Sequence, residues 1–441
     1  MGFGPSHLSL GAVCDSTRGP VVQSRVHCLE ARPGFSWHPD MLLDGARMQV
    51  AFLKDLVTPE DPTSQYTFTN YLVSKKRLEQ FLNLGTLNPS RREYADYFAW
   101  VADQLSRYVS YSSVVQRVRP VPGPDGEVTH VEVDYRKPTG ESYTMAAEHI
   151  SLAPGGRPVI PPGVESEILD SGAVFHSSAF LPGIRRFHQR GRELPYRFLV
   201  VGAGQSAAEI FQYLVREFPA ADVTLAHRGF ALMPANSSPL ANEIFNPESV
   251  DLFYGASVSQ RRDILTNLRT TNYAAVDDDD IRSVAELLYG QQVHGGQRLR
   301  LCRFTELVAC RIENSLVAVT LRNLLTGEIM TDRYGGVVLA TGYDFREARN
   351  LLTDLEPYLI RDDEGALRVR RDYSVETTPR CHPKIFLHGA AEHTHGLTST
   401  LLSHLAHRAA SILTATFGPR PDRPAERFDL LPIPPLEGAN A

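Results

Sequence analysis

The sequence predicts an α/β protein with two Rossmann-like dinucleotide-binding domains and a smaller helical insertion. Three segments predict it. GFGPSHLSLGAV, from Gly2, is a glycine turn running into a helix, without the strand that normally precedes such a turn. RFLVV at Arg197–Val201 leads into GAGQSA and then AAEIFQYLVREF, a complete strand–turn–helix unit. GVVLATGY at Gly336–Tyr343 is a late apolar strand. Strands alternating with helices argue for parallel sheets.

Bulk composition agrees with this reading. A chain of 441 residues, 42% hydrophobic, is long enough for two or three domains. Its net charge is −6 and its Lys and Arg are scattered, which argues against a nucleic-acid surface. No stretch approaches the roughly 20 apolar residues of a membrane span, and the start lacks the basic region of a signal peptide. Cys14, Cys28, Cys302, Cys310 and Cys381 are odd in number and have no CxxC spacing. They read as reduced thiols of a cytoplasmic protein, without a disulfide framework or a zinc site.

Taken in order, the first turn has Gly2 and Gly4 at the two glycine positions and His7 at the third. VHCLE ends a second strand at Glu30, where an acid can accept a ribose hydroxyl, as in NAD or FAD sites. A helical run follows around Arg92–Val109, then a β-like stretch at Val128–Val133 and the run EHISLAPGG. In the second turn, Gly202 permits the bend and Gly204 lets the backbone approach a pyrophosphate. Gln205 and Ser206 open the helix, and Ala207 allows close helix–strand packing. Ala207, Ile210, Phe211 and Leu214 share one face of that helix. The next strand, ADVTLAHRGF, ends in His227 and Arg228 with no acid, which suits the 2′-phosphate of NADPH. Two such turns in one chain point to FAD in the first and a nicotinamide in the second.

The expected domains are 1–186, FAD-binding with its first strand missing; 187–235 and 297–335, NADPH-binding; 236–296, a helical substrate-binding segment; and 336–417, FAD-binding again. A Pro-rich tail occupies 418–441. The run Asp277–Asp280 reads as a solvated helix start. His393 and His395 form an H-x-H without nearby carboxylate or Cys, so no metal site is expected.

FSWHPDMLLDGARMQVAFLKDL at Phe35–Leu56, NYLVSKKRLEQFLNLGTLNPSRREYADYFAWVA, and the ATGY at Ala340–Tyr343 resemble the N-hydroxylating flavin monooxygenases of siderophore biosynthesis. These are the L-ornithine N5- and L-lysine N6-monooxygenases. NLGT, TTNYAAVD and HGLTSTLLS are more similar to the ornithine branch. The resemblance implies that NADPH reduces FAD and that O₂ then adds to the flavin as a C4a-hydroperoxide. The distal oxygen passes to the side-chain amine. It implies a flavin-side role for Gln49 and a substrate-carboxylate role for Lys54. Asn242 and Asn272 would bind substrate, Ser403 would lie near substrate and flavin, and Arg228 would hold the NADPH phosphate. Gln49, Lys54 and Asn272 are the catalytic candidates. Trp37, His38, Thr341, Gly342 and Tyr343 join the cofactor-binding candidates, although Trp37 and His38 could equally pack. Family members are commonly tetramers. The family usually has Asn where this chain has His7, and Asp where it has Ser399.

The residue types fit that chemistry. An α-amino acid carries a carboxylate that Lys54 can pair with and the Asn amides can orient. The reacting amine must be neutral, and only about 0.4% of a free alkyl amine is neutral at pH 8. A desolvated site with no carboxylate beside the amine would lower that pKa. Other readings stay open: lysine or a diamine as substrate, or a non-catalytic NADP-binding remnant. The last follows from the missing strand, which would remove a row of ladder bonds and free the first glycine turn from its anchor.

Overall fold

The computed structural model describes residues 1–236, 238–268, 271 and 275–420. Its clearest unit is a five-stranded parallel sheet in the order Leu299–Cys302, Asp222–Ala226, Arg197–Val201, Gly336–Leu339, Val174–His176. The central strands are apolar on both sides because both faces are covered. On one face lie the helices Phe180–Arg190 and Gln205–Glu217, whose Ala207, Ile210, Phe211 and Leu214 are all buried against Phe198 and Val200. On the other lies an antiparallel sheet of Thr305–Glu313, Leu316–Asn323 and Ile329–Tyr334, with Val317, Val319 and Leu321 packed on Leu199 and Leu339.

The first glycine unit is built differently. Cys28–Leu29 pairs in parallel with Val109–Ser110, and Ile150–Leu152 pairs in parallel with Ile385–Leu387. Met1 and Gly2 run between these two pairs. The Met1 amine donates to Ser151 O (2.7 Å), Ala153 N to Met1 O (3.0 Å) and Gly2 N to Leu29 O (2.8 Å). The expected break in the sheet is therefore present, since two two-stranded pairs stand in place of one sheet. The glycine turn, however, is anchored on both sides. Two residues suffice because each offers its backbone groups to a different neighbour. Helices Pro5–Thr17, Arg91–Gln104 and Leu405–Phe417 enclose an aromatic-rich core that includes Phe68, Tyr94, Tyr97 and Phe98. Val114–Pro122, Val128–Arg136 and Ser142–Ala147 form an antiparallel sheet beside it.

The chain crosses from the first unit to the second near Arg157–Pro158 and returns through Tyr343–Asp344, which pair antiparallel. The expected boundaries at 186/187 and 335/336 are corrected accordingly. Val174–His176 and Gly336–Leu339 are both strands of the second sheet, so that unit extends over part of each neighbouring segment. Local pattern marks strands but not which sheet receives them.

The insertion between Ala226 and Leu299 has two parts. Ala241–Phe245, Pro247–Gly255 and Val258–Asn267 pack on Glu392–Thr400 of the first unit. Asp278–Val293 packs instead on the Gln205–Glu217 helix. Arg261 also donates to His393 O (3.3 Å), and the Phe253 ring packs closely over Gly396, 3.2 Å from where a Cβ would stand. Residues 421–441, most of the Pro-rich tail, lie outside the described residues.

Candidate active site

The two glycine turns have the same construction. Gly2 has φ +84°, and a Cβ there would sit 2.4 Å from Ala153 O. Gly202 has φ +151°, and its Cβ would sit 2.2 Å from Ala340 O. Only glycine fits either position. Gly4 and Gly204 are the extended N-caps of helices Pro5–Thr17 and Gln205–Glu217. Neither helix has a side-chain cap or an acidic residue in its first turn. Their leading N–H groups and positive dipole ends are therefore available to phosphates. A Cβ on Gly4 would meet nothing within 4 Å, which leaves room for a pyrophosphate against the backbone. Glu30 closes the first turn, accepting from Phe3 N (2.6 Å) and Arg32 N (2.9 Å). These features fit FAD at the first turn and a second dinucleotide at the other. Arg228 leaves the strand Asp222–Ala226 exposed, with no acidic partner among the described residues.

Gln49 stands where the two units meet. Its Nε2 donates to Asp277 Oδ1 (3.2 Å) and Gln205 Oε1 (3.4 Å), and Asp277 N donates to the same Gln205 oxygen (2.9 Å). Gln205 Nε2 in turn reaches Asp280 (2.5 Å) and Glu209 (2.9 Å). Glu209 takes a bidentate pair from Arg91 at 2.7 and 2.8 Å, in an almost fully buried setting. The reading of Asp277–Asp280 as a solvated helix start is thus corrected. Asp278 and Asp279 are exposed, whereas Asp277 and Asp280 turn inward onto glutamines of other elements. Burial raises the Asp277 pKa, opposed by the Gln49 amide and reinforced by the charges of Asp280 and Glu209.

Lys54 lies on a loop fixed from beneath by its neighbour. Asp55 is 2% exposed and accepts from Val57 N (2.9 Å), Thr58 N (2.7 Å), Thr58 Oγ1 (2.8 Å) and Phe68 N (2.7 Å). Burial still raises its pKa, against the pull of those donors. The Lys54 side chain is exposed and has no ion-pair partner among the described residues. Its loop is a cationic point held still by a buried anion.

The other candidates fall into smaller groups. Trp37 packs edge-on against Phe98 (5.1 Å between centroids) and His38 (5.2 Å). His38 has φ +44° and faces Tyr343 at 6.0 Å; burial, then Arg91 and Arg32, push its pKa down to about 4. Thr341 donates to Val159 O (2.5 Å), Gly342 has φ +82°, and Tyr343 lies on His176 (5.2 Å). Asn242 sits on Ala241–Phe245, which packs on Gly396–Thr400, just before Ser403. Among the described residues, no hydrogen bond or ion pair joins Lys54, Asn242 and Ser403 to one another. Asn272 lies outside the described residues. His393 donates to Leu367 O (2.8 Å), while His395 stacks on Tyr373 (4.1 Å), so both are taken up by the fold.

Sequence reasoning missed a buried relay under the first turn. His7 Nδ1 lies 2.5 Å from Gly2 O and Nε2 2.8 Å from Ser151 Oγ, which is 2.9 Å from His388 Nε2. A carbonyl only accepts, so His7 carries its proton on Nδ1 and receives the Ser151 hydroxyl at Nε2. Ser151 then accepts from His388 Nε2–H. Nothing in the local sequence joins residues 7, 151 and 388.

Two cofactor-type glycine turns and a late strand that approaches the second of them point to an oxidoreductase with two dinucleotide cofactors. The comparisons narrow the class. The family model for L-lysine 6-monooxygenase/L-ornithine 5-monooxygenase matches residues 1–345. The L-ornithine N(5)-monooxygenase of Burkholderia cepacia is 39% identical over 96% of this chain and 94% of its own length. That of Pseudomonas aeruginosa is 34% identical over 93% and 91%. The solved ornithine hydroxylase from P. aeruginosa superposes with a TM-score of 0.86 at 34% identity, covering 94% of this chain and 97% of that one. The Kutzneria ornithine N-hydroxylase, solved with reduced FAD, NADP⁺ and L-ornithine, gives 0.88 at 36% identity with the same coverage. The chain belongs to the L-lysine 6-/L-ornithine 5-monooxygenase family.

Proposed function

We propose that this chain hydroxylates the side-chain nitrogen of L-ornithine with O₂ and NADPH, yielding a hydroxylamine suited to siderophore-type hydroxamates. Balanced, R–NH₂ + O₂ + NADPH + H⁺ gives R–NHOH + H₂O + NADP⁺. Bound FAD supplies the ring that takes the hydride from NADPH and activates O₂. The rest is work for side chains.

Lys54 carries the reading. It is an exposed ammonium without an acidic partner among the described residues, on a loop that buried Asp55 holds in place. It pairs with the substrate carboxylate, and Asn242 and Asn272 orient that end of the molecule. Gln49 faces the flavin. With Nε2 committed to Asp277 and Gln205, its Oε1 is the atom free to accept a hydrogen bond. Ser403 lies near substrate and flavin. Gly2, Gly4 and Glu30 hold FAD, with Trp37, His38 and Thr341–Tyr343 on its flavin side. Gly202, Gly204, Gln205, Ser206 and Arg228 hold NADPH. The helices over Glu392–Thr400 exclude water, which keeps the amine desolvated and neutral.

The five unpaired cysteines support a cytoplasmic location, and no described helix is long and apolar enough to cross a membrane. A homo-oligomer, tetrameric as the family resemblance implies, is supported by the exposed leucines Leu82, Leu84 and Leu87 near the Lys54 loop.

The test is flavin content of the purified chain, then turnover of ornithine, lysine and putrescine by wild type and Lys54→Met. Wild type prefers ornithine. The variant raises the KM for ornithine by roughly tenfold to a hundredfold, one charge-assisted contact, and leaves putrescine unchanged. Preference for putrescine, or a wild-type KM in the variant, overturns the reading.

A further inference from the structure

The NADPH end of the molecule holds a second cation that the strand pattern does not announce. Leu299–Cys302 is the outer neighbour of Asp222–Ala226, in parallel register with Ala226 beside Cys302. Both strands therefore release their next residues at the same edge of the sheet. The segments after them stay joined, because His227 N donates to Cys302 O (3.0 Å), Thr305 N to His227 O (2.9 Å) and Phe304 N to Gly229 O (3.1 Å). This clasp brings Arg303 to the loop that carries Arg228. Both arginines are exposed, and neither has an ion-pair partner among the described residues. Arg303 is not loose. Its guanidinium lies 5.2 Å from the ring centroid of Phe230, itself 67% exposed and 6.0 Å from Phe304. A large exposed aromatic fixing an unpaired guanidinium at this edge has no structural task of its own.

We propose that Arg303, held on Phe230, is a second cation for the 2′-phosphate of NADPH and a determinant of the preference for NADPH over NADH. It rests on the reading of Arg228 as a phosphate residue. A phosphate near neutral pH carries between one and two negative charges and three strong acceptor oxygens, more than one guanidinium satisfies. Two arginines from adjacent strand ends can approach it from different sides. Arg303 acts on binding alone, because the adenosine end of NADPH is remote from the hydride.

The experiment is steady-state kinetics of FAD-loaded Arg303→Gln, Arg303→Lys, Phe230→Leu and Arg228→Gln with NADPH and with NADH. Flavin absorbance checks folding. Arg303→Gln is expected to raise the KM for NADPH about tenfold, the loss of one charge-assisted contact. Its kcat and its KM for NADH stay within about twofold, an exposed substitution distant from the chemistry. Arg303→Lys recovers part of the loss, and Phe230→Leu shows a smaller loss of the same kind. If Arg303→Gln keeps the wild-type NADPH/NADH ratio while Arg228→Gln loses it, the inference is overturned and the Arg228 reading stands. If both keep it, both fall. A rise in KM that is equal for the two cofactors also overturns the inference, since it would be structural.

Discussion

Replacing His7 with asparagine should flatten the acid limb of unfolding. His7 is 1% exposed, and its pKa is pushed down to about 3. Burial is the main cause; the N-terminal ammonium and Arg408 add to it, and the Gly2 carbonyl opposes it. The relay explains why the ring stays neutral. A second proton on Nε2 would face the Ser151 hydroxyl, which already accepts from His388 and would then have no acceptor for its own hydrogen. In the unfolded chain the same ring titrates near 6.5. A depressed histidine means that unfolding takes up a proton, so its stability contribution is intact above about pH 6.5 and falls as the pH drops toward 3. Between pH 7 and pH 5 the loss is RT times the difference of ln(1 + 10^(6.5 − pH)), about 1.9 kcal/mol. His395, 1% exposed and also pushed to about 3, adds a similar amount. His388 and His404 shift in the same direction. Against a total stability of about 5–15 kcal/mol, the expected result is loss of stability at a pH well above the carboxylate range.

The assay is urea unfolding at pH 7 and pH 5, followed by tryptophan fluorescence. Trp37 and Trp100 are the only two tryptophans, and both pack on the core that contains the His7 helix, so the signal reports the right unit. His7→Asn costs stability at both pH values through the lost bonds. What matters is the difference, which should be about 1.9 kcal/mol smaller in the variant than in wild type. An equal loss between pH 7 and pH 5 in the two proteins would refute the argument.

Three further outcomes follow from the contacts. Glu209→Ala strands Arg91 in a nearly buried position and should cost about 3–5 kcal/mol in chemical unfolding; the double change Arg91→Met with Glu209→Leu should recover most of it, and a single-variant loss under 1 kcal/mol would contradict the buried-pair reading. Asp55→Asn keeps the shape but faces backbone N–H groups with an amide donor; a loss of about 2–4 kcal/mol is expected, with a raised KM for ornithine and an unchanged KM for NADPH. Asp277→Ala frees the Gln49 amide and should lower product formed per NADPH oxidised while substrate KM holds; unchanged coupling would show that Asp277 does not position Gln49.

What the sequence made legible were features written within a single segment. GAGQSA with its apolar strand and helix is legible because the strand, the turn and the helix that packs back on the strand are contiguous in sequence. The expectation of a helical run at 92–109 came close to the observed Arg91–Gln104 for the same reason. Sheet membership was not legible. Val174–His176 and Gly336–Leu339 look like generic apolar strands, and only the pairing of Gly336–Leu339 with Arg197–Val201 on one side and Val174–His176 on the other places them in the second unit. Side-chain networks were equally hidden. Asp277 and Asp278 are adjacent and chemically identical, yet one meets Gln49 and the other meets water, a difference set by where the helix docks. Asp55 is the partial exception, since an acid next to Lys54 with Thr58 three residues on is a local turn signal. Its fourth donor, Phe68 N, is not local.

The same contacts that escaped the sequence hold the two nucleotide units in register. A hydride passes between rings only if the two turns face each other at a fixed separation. Covalently, the units are joined by two crossings near Arg157–Pro158 and Tyr343–Asp344, a narrow connection. Arg91–Glu209 joins a helix of the first unit to the helix that begins at the second glycine turn, and Gln49–Gln205–Asp277 ties Gln49 to that helix's first residue. Gln205 is thus shared. Its backbone lies in the first helical turn, the proposed phosphate site, and its side chain holds Asp277 and Gln49. Under the roles proposed above, a dinucleotide that pulls on the start of this helix also pulls on Gln49. On that reading, binding of NADP(H) and the orientation of Gln49 are linked, and by reciprocity whatever fixes Gln49 also tightens NADP(H). Gln205→Ala should break both together, raising the KM for NADPH and lowering the coupling of NADPH oxidation to product in one step. A variant that changed only one of the two would separate the roles and dissolve the link.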